Sequence, residues 1–415
     1  MLSDPQVRRV VIARFVSRVG GEAAFFVGIW GKAAFVLDAT APQLAVVLGS
    51  IGVASLIGTS VAGVLIDRFD PRRVVMVGEA VFIPIALSLV LADSIPALAI
   101  VTFFFGLVSG PIHTAVASFA PFLTDDDSKL ARMNSAIEGG GWVAFIVGPA
   151  VGAVIAATAG VDWIFVLNSF TAAAAAFLVW RVRLRARPAR EERQGGLTEF
   201  REGLRYSYGN RRIRFYVLVG STLFLLFGFF SSLEPLFFRD VVGVEIEVLG
   251  WVNSLVGLGM VTGTRIAASL PEHLRSARTL TLLGAVNALG VVSYVGTGRL
   301  GVVATAGALW GVVIGTMIPL QRTLLQINAP ESMVGRVMGV NQMHSEGGHL
   351  IPLTFAPALA ATFGVQNTLI SSGVVVLVSA ALFWPVARRL DATRKVEVPA
   401  PALPEPEAGP FAQGH

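Results

Sequence analysis

Twelve separate stretches of this chain each stay apolar for about the 20 residues needed to cross the hydrocarbon core of a bilayer. They centre on residues 10–37, 43–66, 74–91, 96–123, 133–157 and 163–182 in the first half. In the second half they centre on 213–238, 248–270, 279–295, 300–327, 334–363 and 365–387. No water-soluble fold hides that much apolar surface in 415 residues. Hydrophobic residues make up 54 % of the chain and charged residues 14 %, where a soluble protein carries roughly 25 % charge. A spanning segment must satisfy its backbone hydrogen bonds internally, so the expectation is an all-α membrane protein with twelve transmembrane helices. The polar start runs directly into the long first stretch, which reads as a span and not as a cleavable leader.

The basic residues set the expected orientation. With the N-terminus in the cytoplasm, 25 of the 32 Lys and Arg residues fall in cytoplasmic segments, only Arg239 and Arg299 fall in outer loops, and five lie within the helices. Positive charge concentrates on the cytoplasmic side of membrane proteins, so both termini are expected there, in a multi-pass protein of a bacterial plasma membrane. The same placement accounts for the net charge of +5 through anionic lipid headgroups, and no nucleic-acid partner is expected. The chain has no cysteine, which excludes disulfides, thiolate metal sites and cysteine nucleophiles.

Charge and proline divide the chain. Residues 1–182 read as one six-helix bundle and 213–389 as a second. Between them, 183–212 form a charged cytoplasmic linker, and 390–415 read as a disordered Pro- and Glu-rich tail. A weak repeat supports two pseudo-symmetric halves: Leu130-Ala131-Arg132-Met133 opens the fifth stretch and Val334-Gly335-Arg336-Val337 the eleventh. A six-plus-six repeat is the pattern of a rocking secondary transporter, with its substrate site between the halves.

The loop between the second and third stretches reads Gly63-Val64-Leu65-Ile66-Asp67-Arg68-Phe69-Asp70-Pro71-Arg72-Arg73. It resembles the G-x-L-x-D-R-x-G-R-[RK] signature of the major facilitator superfamily, with Asp70 and Pro71 standing where that pattern prefers Gly and a basic residue. The resemblance implies a conformational switch built from Gly63, Asp67, Arg68, Arg72 and Arg73, in which the acid pairs with the start of the eleventh helix and stabilises the outward-open state. The fifth stretch carries Gly139, then Gly148-Pro149 and Gly152-Ala153, similar to the antiporter signature G-x8-G-P-x-x-G-G of exporting members. Gly140, Ala144, Gly148 and Gly152 lie four apart and form a small-residue face, while Pro149 permits a bend. Such a gating helix suits the interface between the halves. The tenth stretch repeats the device with Gly307, Gly311, Gly315 and Pro319. The opening around Arg14 and Glu22 and the phrases around Arg132 and Arg336 resemble the macrolide-efflux and enterobactin-exporter branch. Gly106 stands where some drug antiporters carry an arginine, so a relay in the fourth helix is not expected.

Ionisable groups inside a membrane are costly and mark function by default. Arg14, Arg18 and Glu22 lie at four-residue steps on one helix face; Glu22 is either a proton carrier or a permanent partner of Arg18. Glu138 shares a face with Trp142 and Phe145 that suits an amphipathic, cationic substrate, or it caps the cytoplasmic end. Glu346 and His349 share a face with Gln342 and form a possible proton pair, while His344 points away, so these residues lack the spacing of a helical zinc site and no metal is expected. His113 is a cavity candidate or a packing residue. Glu79 reads as structural, and Glu234 as an interfacial acid near Arg239. Arg265 and Arg322 would attract an anion or snorkel to headgroups.

No nucleotide-binding signature occurs, so an ion gradient is the expected energy source and no cofactor is expected. The chain is expected to be a monomeric, non-enzymatic, proton-coupled exporter of amphipathic small molecules or drugs by alternating access. A siderophore or anionic-metabolite exporter, a lysolipid flippase, and a non-transporting receptor or scaffold are the alternatives.

Overall fold

A computed structural model describes residues 4–123, 127–184 and 196–394, without the side chains of 67, 127–131, 135, 138, 196–199, 331 and 394. The described residues form helices joined by short turns, with no strand among them: α1 (Pro5–Ala23), α2 (Ala41–Phe69), α3 (Pro71–Ser88), α4 (Ile95–Ala117), α5 (Asp127–Ala159), α6 (Asp162–Trp180), α7 (Gly196–Gly209), α8 (Arg211–Phe237), α9 (Ile246–Ser269), α10 (Ala277–Val295), α11 (Leu300–Asn328), α12 (Glu331–Phe363) and α13 (Val365–Arg394). Among these residues nine helices are long and apolar enough to cross a membrane. The long helices outside that set are α1, α3 and α12. They carry the polar groups: Arg14, Arg18 and Glu22; Arg72, Arg73 and Glu79; Asn341, Gln342, Glu346 and His349.

Local chemistry sets the ends. Asp4 caps α1 through Gln6 N at 2.8 Å, and Asn210 caps α8 through Arg212 N at 3.0 Å, each satisfying a backbone N–H that has no partner inside its helix. Three boundaries differ from expectation. The stretch 96–123 breaks after Ala117, because Ser118 leaves helical geometry and Pro121 cannot continue the ladder. The charged linker contains α7, which docks on α12 through Arg336 Nη1–Glu202 Oε2 at 2.7 Å and Tyr208 Oη–His344 Nε2 at 2.6 Å. Helix α13 runs past residue 389 because Asp391 is tied to the start of α10, accepting from Ala277 N at 2.9 Å and Arg278 N at 3.0 Å. Residues 185–195 of the linker and 395–415 of the tail lie outside the described residues.

The packing of α1–α6 recurs in α8–α13. Helix α1 packs on α5 and α6 as α8 does on α12 and α13; α3 packs on α4 and α6 as α10 does on α11 and α13. The tightest seam in each half is also repeated, α2 against α4 and α9 against α11. Glycine makes both possible. A Cβ at Gly58 or Gly106 would strike the Leu107 or Ile51 carbonyl, and one at Gly259, Gly263, Gly311 or Gly315 would strike a facing carbonyl across α9 and α11. Backbones that touch gain dispersion contacts where lipid offers no hydrophobic drive.

Beyond Ala23, α1 continues through two π-helical segments, Ala24–Ile29 and Lys32–Val36. The second carries Lys32, 2 % exposed. Its Nζ donates to Leu89 O at 2.8 Å, Val90 O at 2.7 Å and Asp162 Oδ1 at 2.9 Å. All three ammonium protons are used, which is how a buried cation is tolerated. The pin joins α1 to the α3–α4 and α5–α6 turns.

Candidate functional site

Helices α1, α2, α3, α4 and α6 enclose a cavity of about 270 Å³ in the first half of the chain. Ser17, Arg18 and Glu22 reach it from α1, Glu79 from α3, His113 from α4 and Asn168 from α6. Phe25, Phe26, Phe82 and Phe105 complete an aromatic wall. The four-residue spacing on α1 does what it promises: Arg18 Nε lies 2.5 Å from Glu22 Oε1. Glu22 is 8 % exposed, and α5 covers it at Gly148, where a Cβ would meet that of Glu22 at 2.5 Å. Glu79, 2 % exposed, accepts from Ser17 Oγ at 2.6 Å. Asn168 is 1 % exposed, and its Nδ2 has no partner among the described residues. The cavity thus joins two acids, one arginine, a histidine and an unspent amide donor.

Several expectations meet a different arrangement. Trp142 and Phe145 are not among the cavity walls. Phe145 instead packs edge-on against Phe26, with centroids 5.4 Å apart, and lies beside Gly257 of α9. The small-residue face of α5 meets α1, through Gly148 on Glu22 and Val19 and Gly152 on Val27 and Ala23. The contact of α5 with the second half uses its other face, where Pro149 and Ala153 receive Gly250. A Cβ at Gly139 would meet nothing. In α12, Glu346 Oε1 accepts from Gln342 Nε2 at 2.7 Å, while His349 Nε2 pairs with Ser231 Oγ at 2.7 Å; the acid and the histidine therefore have separate hydrogen-bond partners. Glu234 is buried and accepts from Tyr294 Oη at 2.5 Å, away from the hydrogen bonds of Arg239. Arg265 and Arg322 are exposed and line no part of the cavity. Glu138 and Asp67 have side chains outside the described residues.

Sequence reasoning underrated Glu79 and passed over Ser17 and Asn168. The signal for Glu79 was an acid within an apolar stretch; its direction into the same cavity as Glu22 depends on how α3 is rotated. Asn168 gave no signal beyond one polar residue in α6.

Two further features bear on movement. Beyond α8, Arg239 Nη1 donates to Ala34 O at 2.6 Å and to Asp38 Oδ1 at 2.7 Å, clasping the second half to the end of α1. Gly31 meets Ile246 nearby. The halves are therefore closed on the side opposite the α6–α7 connection. In the α2–α3 turn, Asp70 has φ 66°, a backbone region glycine enters freely. That explains the glycine preference of the signature at this position. Asp70 offsets the cost by capping α3, accepting from Arg73 N at 2.9 Å. Arg72 donates to Trp180 O at 2.5 Å, Arg68 lies over Phe69 at 5.4 Å, and Gly63 faces open space. Asp70→Ala loses the cap and keeps the unfavourable φ, so it should destabilise by about 1 kcal/mol; Asp70→Gly loses the cap but relieves the backbone and should stay near wild type. Thermal unfolding of both variants in detergent checks the order, and equal midpoints would contradict it.

Comparison with known proteins agrees with this architecture. The family description "Major Facilitator Superfamily" matches residues 10–353. The chain is 29 % identical over 396 residues to the multidrug efflux pump Tap of Mycobacterium tuberculosis, covering 88 % of this chain and 90 % of that one. It is 24 % identical over 406 residues to the enterobactin exporter EntS of Escherichia coli, covering 92 % and 91 %. The nucleoside transporter NupG superposes with a TM-score of 0.73 at 11 % identity, over 92 % of this chain and 98 % of that one. The D-xylose-proton symporter superposes with a TM-score of 0.70 at 14 % identity, over 91 % and 97 %.

Proposed function

This chain belongs to the Major Facilitator Superfamily and is a multi-pass membrane transporter, and from that premise we propose that it exports amphipathic organic cations in exchange for protons. Helices α1, α3 and α12 span the membrane beside the nine more apolar ones, with Glu22, Glu79 and Asn341 buried against neighbouring helices, which gives twelve spans with both termini in the cytoplasm. The halves rock about the cavity by alternating access. The closed side fastened by Arg239 is then the outer side, and the state described is inward-facing.

The observation that carries the substrate class is the cavity itself. Arg18 and Glu22 neutralise each other, which leaves the buried Glu79 carboxylate beside four phenylalanines, a setting that attracts an organic cation by charge and by its aromatic faces. The counter-charges an anionic siderophore would need are not assembled, because Arg18 is committed to Glu22 and Arg265 and Arg322 lie outside the cavity. The likeness to EntS keeps the siderophore reading second.

Purified protein in liposomes with an acidic lumen should accumulate tetraphenylphosphonium or ethidium, with alkalinisation of the lumen, and a protonophore should abolish both. Accumulation of a catecholate siderophore alone would transfer the assignment to anion export. A sodium gradient that drives uptake without a pH difference would replace the proton, and no flux of either probe under any gradient would remove the transport reading of this site.

A further inference from the structure

A second polar cavity, of about 690 Å³, opens where the start of α1, the start of α3 and the end of α6 converge. Its walls include Gln6, Arg9, Arg72, Trp180, Arg181 and Arg183, four arginines with no carboxylate among the described lining residues. The arginines are held in place. Arg9 Nη1 donates to Arg181 O at 2.9 Å, and Arg72 Nη2 to Trp180 O at 2.5 Å. Each guanidinium carries five N–H donors, and these bonds use one apiece. Arg72 Nε is buried with no partner among the described residues. Arg181 lies 4.4 Å over the Phe177 ring, and Arg183 N donates to Gln6 Oε1 at 2.9 Å, holding the chain after α6 against α1. Capping of the α6 carbonyls accounts for one N–H each of Arg9 and Arg72. The Phe177 ring engages one face of Arg181, and the four charges still share one space with no carboxylate among the described lining residues, an arrangement that a bound anion would offset.

The surroundings identify the anion's source. Along α6, Trp163, Val166, Phe170, Phe177 and Trp180 are exposed at 59, 36, 71, 49 and 54 %. Their spacing of three, four and seven places them on one helical face. An apolar stripe thus descends the outside of a membrane helix from the mouth of the arginine pocket, as acyl chains do below a headgroup. Exposed tryptophan at a helix end marks the membrane–water boundary. We propose that this pocket binds the phosphate headgroup of an anionic phospholipid, with its acyl chains lying along the α6 stripe. The lipid would brace α1, α3 and α6 together at the end of the bundle that carries the switch turn. This assignment is independent of the transported substrate.

The test uses the full-length protein in detergent, with lipid retention read by native mass spectrometry. Wild type should retain phosphatidylglycerol in preference to phosphatidylcholine of the same chain length. Arg9→Gln with Arg183→Gln should weaken phosphatidylglycerol retention roughly 30-fold, from about 1 kcal/mol per arginine near an anionic surface. The control pair Arg388→Gln and Arg389→Gln, at the end of α13, should retain it like wild type. Should the double variant fold poorly, Arg183→Gln alone reads the same effect at about 5-fold, because the Arg183 side chain is exposed and the bond to Gln6 is made by its backbone. Equal retention of the two lipids by wild type would overturn the proposal. So would equal losses in the control pair, or displacement of the lipid by inorganic phosphate alone, which would make this a site for a free ion.

Discussion

Glu22→Gln should abolish concentrative transport while leaving downhill exchange intact. The amide is a permanent stand-in for the neutral acid and nearly matches its volume, so the cavity keeps its shape and loses the ability to bind and release a proton. One pH unit across the membrane is worth about 1.4 kcal/mol, or a tenfold concentration ratio for each proton exchanged. Wild-type liposomes should approach that ratio for a cationic probe, and the variant should settle near unity. Stability is not the obstacle it would be for a sealed ion pair. Arg18 keeps 29 % of its side chain accessible within the cavity, so losing the carboxylate does not strand a fully buried charge. Glu79→Gln supplies the comparison, since Glu79 shares the cavity but accepts from Ser17 and shares a neighbouring crevice with Arg14 instead of facing Arg18 in an ion pair. Wild-type accumulation by well-folded Glu22→Gln would remove Glu22 from the coupling step. If Glu79→Gln then failed to accumulate, coupling would pass to α3.

Gly311→Val combined with Gly315→Val should severely destabilise the fold. A Cβ at either position would occupy the space of a carbonyl oxygen, that of Val256 or of Met260. Neither oxygen can rotate away as a flexible side chain would, so α11 must withdraw from α9 along the seam. Overpacking of a tight core costs about 1–3 kcal/mol per site, so two adjacent sites cost about 2–6 kcal/mol, which reaches the lower end of a typical stability margin of 5–15 kcal/mol. The expected result is a markedly lower melting temperature, with loss of the monodisperse peak in size-exclusion chromatography where the margin is small. Gly63→Ala and Gly139→Ala are the matched controls, because a Cβ there meets nothing within 4 Å; both should melt like wild type. A normal transition for the double valine variant would mean that α9 and α11 do not touch at these glycines.

Legibility followed the physics of each feature. Helix positions were read closely where apolar length alone sets them: 300–327 was expected and α11 is Leu300–Asn328, and 213–238 became Arg211–Phe237. The fourth helix was overrun because Ala117–Leu123 stays apolar, and only Ser118 and Pro121 mark the break. The linker helix α7 was missed because its charge conceals it; what holds it is a docking partner, α12, which lies more than a hundred residues away. Of the charged candidates, Arg18–Glu22 was visible because both residues sit on one helix at a fixed four-residue step.

What the sequence determined by itself is therefore local or solvent-driven. Hydropathy dictates helices in a membrane, charge bias dictates which ends face anionic lipid in the proposed topology, and four-residue spacing pairs neighbours on one helix. Tertiary structure decided everything that depends on how one helix is rotated and set against another. It turned the glycine face of α5 onto α1 instead of the second half, gave Glu346 and His349 separate partners, and brought Glu79 and Asn168 to the cavity of Glu22. A helix in lipid carries no hydrophobic drive that fixes its rotation, since tails and neighbouring helices are equally apolar. The choice falls to close backbone contact and to a few hydrogen bonds between segments distant in sequence, and neither can be read from one segment alone.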